Sequence, residues 1–404
     1  MSYNFNLTEI YFYFLYCIIK TYQRVKGLKR LSTYARLKKE GIEVVEQLDA
    51  MKVNTIAINV ASKLCLAFPE HNLNKSDLFE SLSRLSMYVS KMPADSSGAK
   101  YFYENNSIYF NESLDIEEMA SLAVHECIHC IQELRDSNNK LIKLGLYTPS
   151  YNFGLSINEA AVQLMASEAN MMDSVNETYY GISINTISPN YYPLECALLS
   201  QISYFTGTYP LYHSTLYGND IFKNIISQKT NKKTYYEISK NLDKLLSLEN
   251  NLNYYASELQ YTDKISSIKL LNKLITETKK DIKSLFFKTQ NLIMSKCFKN
   301  EFNSIRNLSD IKDFNKKLYN YKNIIGFSDE YTYYNKFYCD MMELIEEKKS
   351  YIEKYGEINL FESISTSLMI VDNTKSAFSF MSTFVNKFKK LLGFNKSSET
   401  INDI

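Results

Sequence analysis

Tryptophan is missing from this 404-residue chain, histidine occurs only four times, and glycine and proline are scarce at 11 and 6. So few backbone breakers leave the chain helix-friendly, and helix is the expected dominant element. The absence of tryptophan, together with far more lysine than arginine, fits an AT-rich genome. No internal repeat is apparent. Charge of one sign is missing too: 46 Lys and Arg against 45 Asp and Glu give a net charge of +1, so no field points to nucleic acid. Seven cysteines, odd in number and irregularly spaced, argue against a disulfide framework and for reduced thiols in a cytoplasmic compartment.

Long hydrophobic runs are also lacking. Residues Ile10 to Ile19 form the apolar, aromatic stretch that comes nearest, and it is too short to span a bilayer. No charged segment precedes it and no small-residue cleavage site follows, as a secretory signal requires. Lys20, Arg24, Lys26, Lys29, Arg30, Arg36, Lys38 and Lys39 come next, with no acidic residue between 10 and 39. Over residues 10–39 two readings stand: peripheral contact with an anionic membrane surface, or a core helix followed by a solvated basic helix.

Two of the four histidines stand in His125-Glu126-Cys127-Ile128-His129, the H-E-x-x-H pattern of a zinc-dependent hydrolase helix. On an α-helix, positions i and i+4 share one face about a turn apart, so both imidazoles can reach one metal ion. Glu126 then sits beside the metal as general base for a water that the metal acidifies. The bland alternative is two histidines satisfied by hydrogen bonds on a buried helix. Cys127 and Cys130 are nested in the motif, but no second cysteine pair exists to complete a zinc ribbon.

The surroundings suit a metal-bearing helix. Tyr101 to Phe110 reads as a β-hairpin, two aromatic and β-branched runs about an Asn-Asn-Ser turn. Asp115 with Glu118 forms an aspartate-headed capping box. Ile116, Met119, Leu122, Ala123, Ile128, Ile131 and Leu134 then follow helical spacing, predicting a helix from about 116 to 136 that stops at Asp136-Ser137-Asn138-Asn139. A catalytic zinc site takes three protein ligands, so a third is required downstream. Glu159 is the leading candidate, in the first turn of a second helix opened by Gly154 and Ser156; Glu168 and Glu195 are the fallbacks. Ser156 and Glu159 also make a capping box, which would use the same carboxylate on backbone N–H instead.

H-E-x-x-H on one helix, followed by a glutamate in an Asn-Glu-Ala setting on the next, resembles the gluzincin branch of zinc metallopeptidases over about residues 98–215. More loosely, the chain resembles metallopeptidase-like proteins of Gram-positive bacteria. The resemblance implies a small sheet whose edge strand binds extended peptide, two zinc-bearing helices and water-promoted hydrolysis. It makes His125, His129 and Glu159 the ligands and Glu126 the base. Thermolysin-like members keep an aspartate four residues after the glutamate to orient a histidine; here Gln163 stands there, an acceptor without charge. The spacing to Glu159 is also longer than in those members. An oxyanion stabiliser is needed opposite the metal, and Tyr179, Tyr180, Tyr191, Tyr192 and His213 are available, with His213 the one carried forward.

The expected architecture is mostly α (α+β). It comprises an N-terminal helical segment over 1–95, a zincin-like module with a small antiparallel sheet over 96–228, and a C-terminal helical bundle over 229–404 ending in a disordered tail. Ile268, Leu271, Ile275, Thr278, Ile282 and Leu285 carry the bundle's periodicity, with turns near Tyr261-Thr262-Asp263 and at Gly326. The expected function is a zinc-dependent peptidase acting on a peptide or protein substrate. The competing class is a non-catalytic interaction protein with a structural or vestigial zinc site. Manganese, iron and cobalt also suit two imidazoles and a carboxylate.

Overall fold

The computed structural model describes residues 33–93, 98–151, 153–325 and 332–358. Residues 10–32 of the basic N-terminal stretch, Cys17, Gly326 and the chain after 358 lie outside them. Within them the protein is mostly helical, and no described helix is long and apolar enough to cross a membrane.

The chain begins with α1 (Thr33–Lys39), β1 (Glu43–Gln47), α2 (Ala50–Ala67) and α3 (Lys75–Leu82), followed by β2 (Ser86–Lys91), β3 (Ala99–Phe102) and β4 (Ser107–Asn111). The expected hairpin is present: β3 and β4 pair antiparallel, Phe102 opposite Ser107, with Asn106 taking the left-handed conformation (φ 52°) that its short side chain tolerates. The hairpin inserts β4 beside β2, so the strand order is β1-β2-β4-β3. The sheet is therefore mixed. The β3–β4 pair is antiparallel as expected, β1 and β2 pair antiparallel within the segment expected to be helical, and β2 and β4 run parallel because the chain reaches β4 only after passing out to the far edge as β3. Ile108, Tyr109 and Phe110 of the central strand are buried, and β3 is left at the edge.

Helix α4 (Ile116–Ile131) opens on the expected capping box: Asp115 accepts from the Glu118 backbone N–H and Glu118 accepts from that of Asp115. Such a cap contributes about 1 kcal/mol. The helix ends at Ile131, not near 136. Residues Glu133–Arg135 form β5, which pairs with β6 (Leu141–Leu144), so the Asp136–Asn139 cluster is the turn of a second hairpin. Leu134, which continues the helical pattern in sequence, is exposed there. Helix α5 (Leu155–Ala169) packs on α4, with small buried residues on each, Ala123 and Cys127 on one and Ala160 and Ala161 on the other.

The rest is β7 (Val175–Tyr179), β8 (Ile182–Thr186), α6 (Pro193–Thr206), α7 (Thr208–Tyr217), α8 (Ile221–Lys229), α9 (Lys232–Gln260), α10 (Ile265–Ser304), α11 (Leu308–Ile325) and α12 (Thr332–Tyr355). The long pair α9–α10 breaks at 261–264, where the turn was expected. Thr278, Ile282 and Leu285 are buried, while Ile268, Leu271 and Ile275 nearer the tip are only partly covered. The boundaries drawn near 95 and 228 cross continuous packing. Strands β1 and β2 share a sheet with β3 and β4, and one cluster of buried side chains extends from Leu48 to Ile358.

Candidate metal centre

Helix α4 presents His125 and His129 one turn apart, and α5 brings Glu159 against both. The two Nε2 atoms are 3.0 Å apart; Glu159 Oε2 lies 3.5 Å from that of His125 and 3.3 Å from that of His129. Zinc held tetrahedrally with bonds of about 2.0–2.1 Å keeps its ligand atoms about 3.3–3.4 Å apart. The triangle thus has the size of one face of that tetrahedron, and the residues fit the ion. Among the described residues no other group of His, Cys, Asp and Glu forms such a cluster.

The carboxylate reaches the histidines because it is not needed as a cap. Ser156 is fully buried, α5 has no cap from its own preceding side chains, and its first N–H groups are met instead by Asp243 of α9, at 2.6 Å from Gly154 and 2.8 Å from Ser156. Burial alone would disfavour a charged Glu159. The His129 and His125 side chains nevertheless hold its carboxyl well below the usual range. Burial likewise opposes charge on His129, and Glu159 reverses that and raises its pKa.

Behind each imidazole lies a glutamine. His125 Nδ1 lies 2.9 Å from Gln163 Oε1, and the other end of that amide donates to Ser167 Oγ at 3.1 Å. His125 therefore carries its proton on Nδ1 and aims the Nε2 lone pair at the centre. His129 Nδ1 lies 2.7 Å from the side-chain amide of Gln132, a residue the sequence reading did not select. The signal for it was its position three after His129, one turn on along the same face.

Glu126 stands beside the triangle. Its Oε2 accepts the backbone N–H of Tyr101 at 2.7 Å, which ties the carboxylate to edge strand β3. A cleft of about 490 Å³ opens over the centre, walled by Lys100 of β3, Tyr147, Tyr191, Tyr192 and, from α9, Leu246.

Of the tyrosines considered, Tyr192 comes closest to the centre. Its ring stacks on His125, with centroids 6.2 Å apart and planes at 23°, and its hydroxyl lies in the field of the Glu159 carboxylate. The Glu159 charge, then burial, pushes the hydroxyl pKa well up, so it stays a donor. Tyr192 takes a left-handed conformation (φ 50°) just before Pro193, which starts α6. Tyr191 lines the cleft, Tyr179 bonds the Pro189 carbonyl, and Tyr180 lies by Glu195 and Glu249.

His213 is corrected: it is not at the centre. It stacks in an aromatic ladder with His71 (5.8 Å), Tyr209 (5.3 Å) and Tyr217 (4.7 Å), and does not line the cleft. Glu168 accepts from Tyr212 at 2.8 Å, and Glu195 is wholly buried against Glu249 on α9, so neither fallback joins the triangle. Cys127 is buried, and burial pushes the Cys130 thiol up to about 11, which keeps it protonated and unreactive. The six described cysteines are free.

No protein-family model, no curated protein and no solved structure matches this chain.

Proposed function

We propose that this chain is a zinc-dependent metallopeptidase of gluzincin type that hydrolyses a peptide or protein bond. The observation that carries the reading is the triangle of His125, His129 and Glu159 at tetrahedral spacing, with the Glu126 carboxylate beside it under an open cleft. Zinc held by these three side chains would supply Lewis acidity and make a water acidic enough to ionise near neutral pH.

The chain's own residues do the rest. Glu126 takes the proton of the attacking water and passes it to the leaving amine. Its tie to Tyr101 keeps it facing the centre. The Tyr192 hydroxyl donates to the carbonyl oxygen as negative charge develops there. Edge strand β3 offers an extended substrate a backbone to pair with. Gln163 keeps the His125 lone pair directed inward.

A structural zinc site needs neither a carboxylate base nor an open cleft, and these two features favour the enzyme over the interaction protein. Free thiols at the six described cysteines support a reducing, cytoplasmic setting.

The test is cleavage of casein or a peptide library by wild type and Glu126→Gln. The variant is expected to keep its metal and lose roughly 10²- to 10⁴-fold in turnover. Equal rates would sink the mechanism.

A further inference from the structure

His129 and Gln132 lie one turn apart at the end of α4, and Gln132 is almost wholly buried. With the amide nitrogen 2.7 Å from Nδ1, Gln132 donates and His129 carries its proton on Nε2, pointing at the other ligands. That orientation leaves Gln132 Oε1 buried without a hydrogen-bond partner. It also sets the oxygen among other acceptors. The point where a Cβ on Gly145 would stand is 2.3 Å from Gln132 Oε1, 2.5 Å from Asn158 Oδ1 and 2.8 Å from the Thr215 carbonyl.

Both neighbours are fixed as acceptors. Asn158 Oδ1 receives the Leu146 backbone N–H at 3.0 Å. Thr215 lies in the last turn of α7, where carbonyls have no partner within the helix. Three oxygens gathered in a buried space without a proton between them are unfavourable. The two ends of a carboxamide have the same shape. Half a turn of the amide turns its N–H groups towards these acceptors and its oxygen to Nδ1 of His129, and so gives both ends of the buried Gln132 side chain partners.

We propose that Gln132 is a positioning residue: its side-chain carbonyl accepts Nδ1–H of His129, and its amide N–H groups bond Asn158 and Thr215. His129 then holds the same tautomer as His125, and both direct Nε2 lone pairs at the point that Glu159 faces. Gly145 completes the device. Its backbone is left-handed (φ 55°), and any side chain there would occupy the network. In its use for metal binding the inference rests on the metallopeptidase reading; the tautomer does not.

The experiment is long-range ¹H–¹⁵N spectroscopy of the full chain with ¹⁵N-labelled histidine, free of metal and at alkaline pH, where the imidazoles are neutral. With only four histidines the signals can be assigned by substitution. Wild type is expected to show His129 protonated at Nδ1, and Gln132→Met to lose that preference. Zinc affinity, from competition with a chromophoric chelator, should fall roughly 10- to 100-fold in Gln132→Met. A wild-type His129 protonated at Nε2 would overturn the proposal, and so would a folded Gln132→Met with unchanged affinity. Wild type with the Nδ1–H tautomer but no zinc uptake would uphold the positioning role and defeat the metallopeptidase reading alone.

Discussion

Asp243 accepts the backbone N–H of Gly154 at 2.6 Å, and so a side chain of α9 caps the helix that carries Glu159. It also accepts from Ser156, at 2.8 Å. The cap comes from a residue far along the chain, and Glu159, the fifth residue of α5, is left to meet two histidines. The C-terminal helices are thereby part of the site as well as its wall.

Asp243→Ala should lower stability by about 1–2 kcal/mol, as loss of a helix cap does. Asp243→Asn should recover only part of it, because its single carbonyl oxygen can serve one of the two N–H groups and its NH2 faces the other. Urea unfolding measures both, and an Ala variant as stable as wild type would mean that the cap is dispensable.

Protein purified without added metal is expected to hold about one zinc per chain by elemental mass spectrometry. His129→Ala and Glu159→Ala should each lose it. A folded wild type that carries no zinc and takes none up would demote the triangle to a hydrogen-bonded cluster.

Tyr192→Phe removes the hydroxyl that feels the Glu159 charge but leaves the ring on His125. Zinc content should be unchanged and turnover should fall roughly 10²- to 10³-fold, the effect of losing one oxyanion donor. A fall in KM-dependent rate alone, with kcat intact, would assign Tyr192 to substrate binding.

Glu195 and Glu249 bury two carboxyls together. Burial, then the Glu249 charge, pushes Glu195 well above the ordinary 4.5, and burial pushes Glu249 up to about 7. Between about pH 4.5 and 7 the folded chain therefore holds protons that the unfolded chain has released, and stability falls as pH rises through that window. Glu249→Gln should remove much of this slope. Relative to wild type it should gain on the order of 1–3 kcal/mol at pH 8 and little at pH 5. Urea midpoints at the two pH values decide, and parallel curves would show that the pair is not proton-linked.

What was legible in the sequence was local. His125 and His129 share a face because of helical pitch, Asp115 and Glu118 cap because they stand three apart, and β3 and β4 pair about a short polar turn. The same local reasoning overran at the end of α4. A turn cluster after a helical pattern looks alike whether it stops a helix or closes a hairpin, and the pairing of β5 with β6 decided between them.

By itself the sequence determined that His125 and His129 share a face of α4 with Glu126 next to them, and that the chain is mostly helical, since each depends on spacings of a few residues. Only the tertiary structure decided that Glu159 meets the two histidines rather than capping α5, because the cap, Asp243, comes from α9. It also decided that Tyr192 rather than His213 approaches the centre, and that Gln132 backs His129. Those choices turn on which groups from distant segments satisfy one another in a shared buried space, and periodicity along one chain carries no record of that.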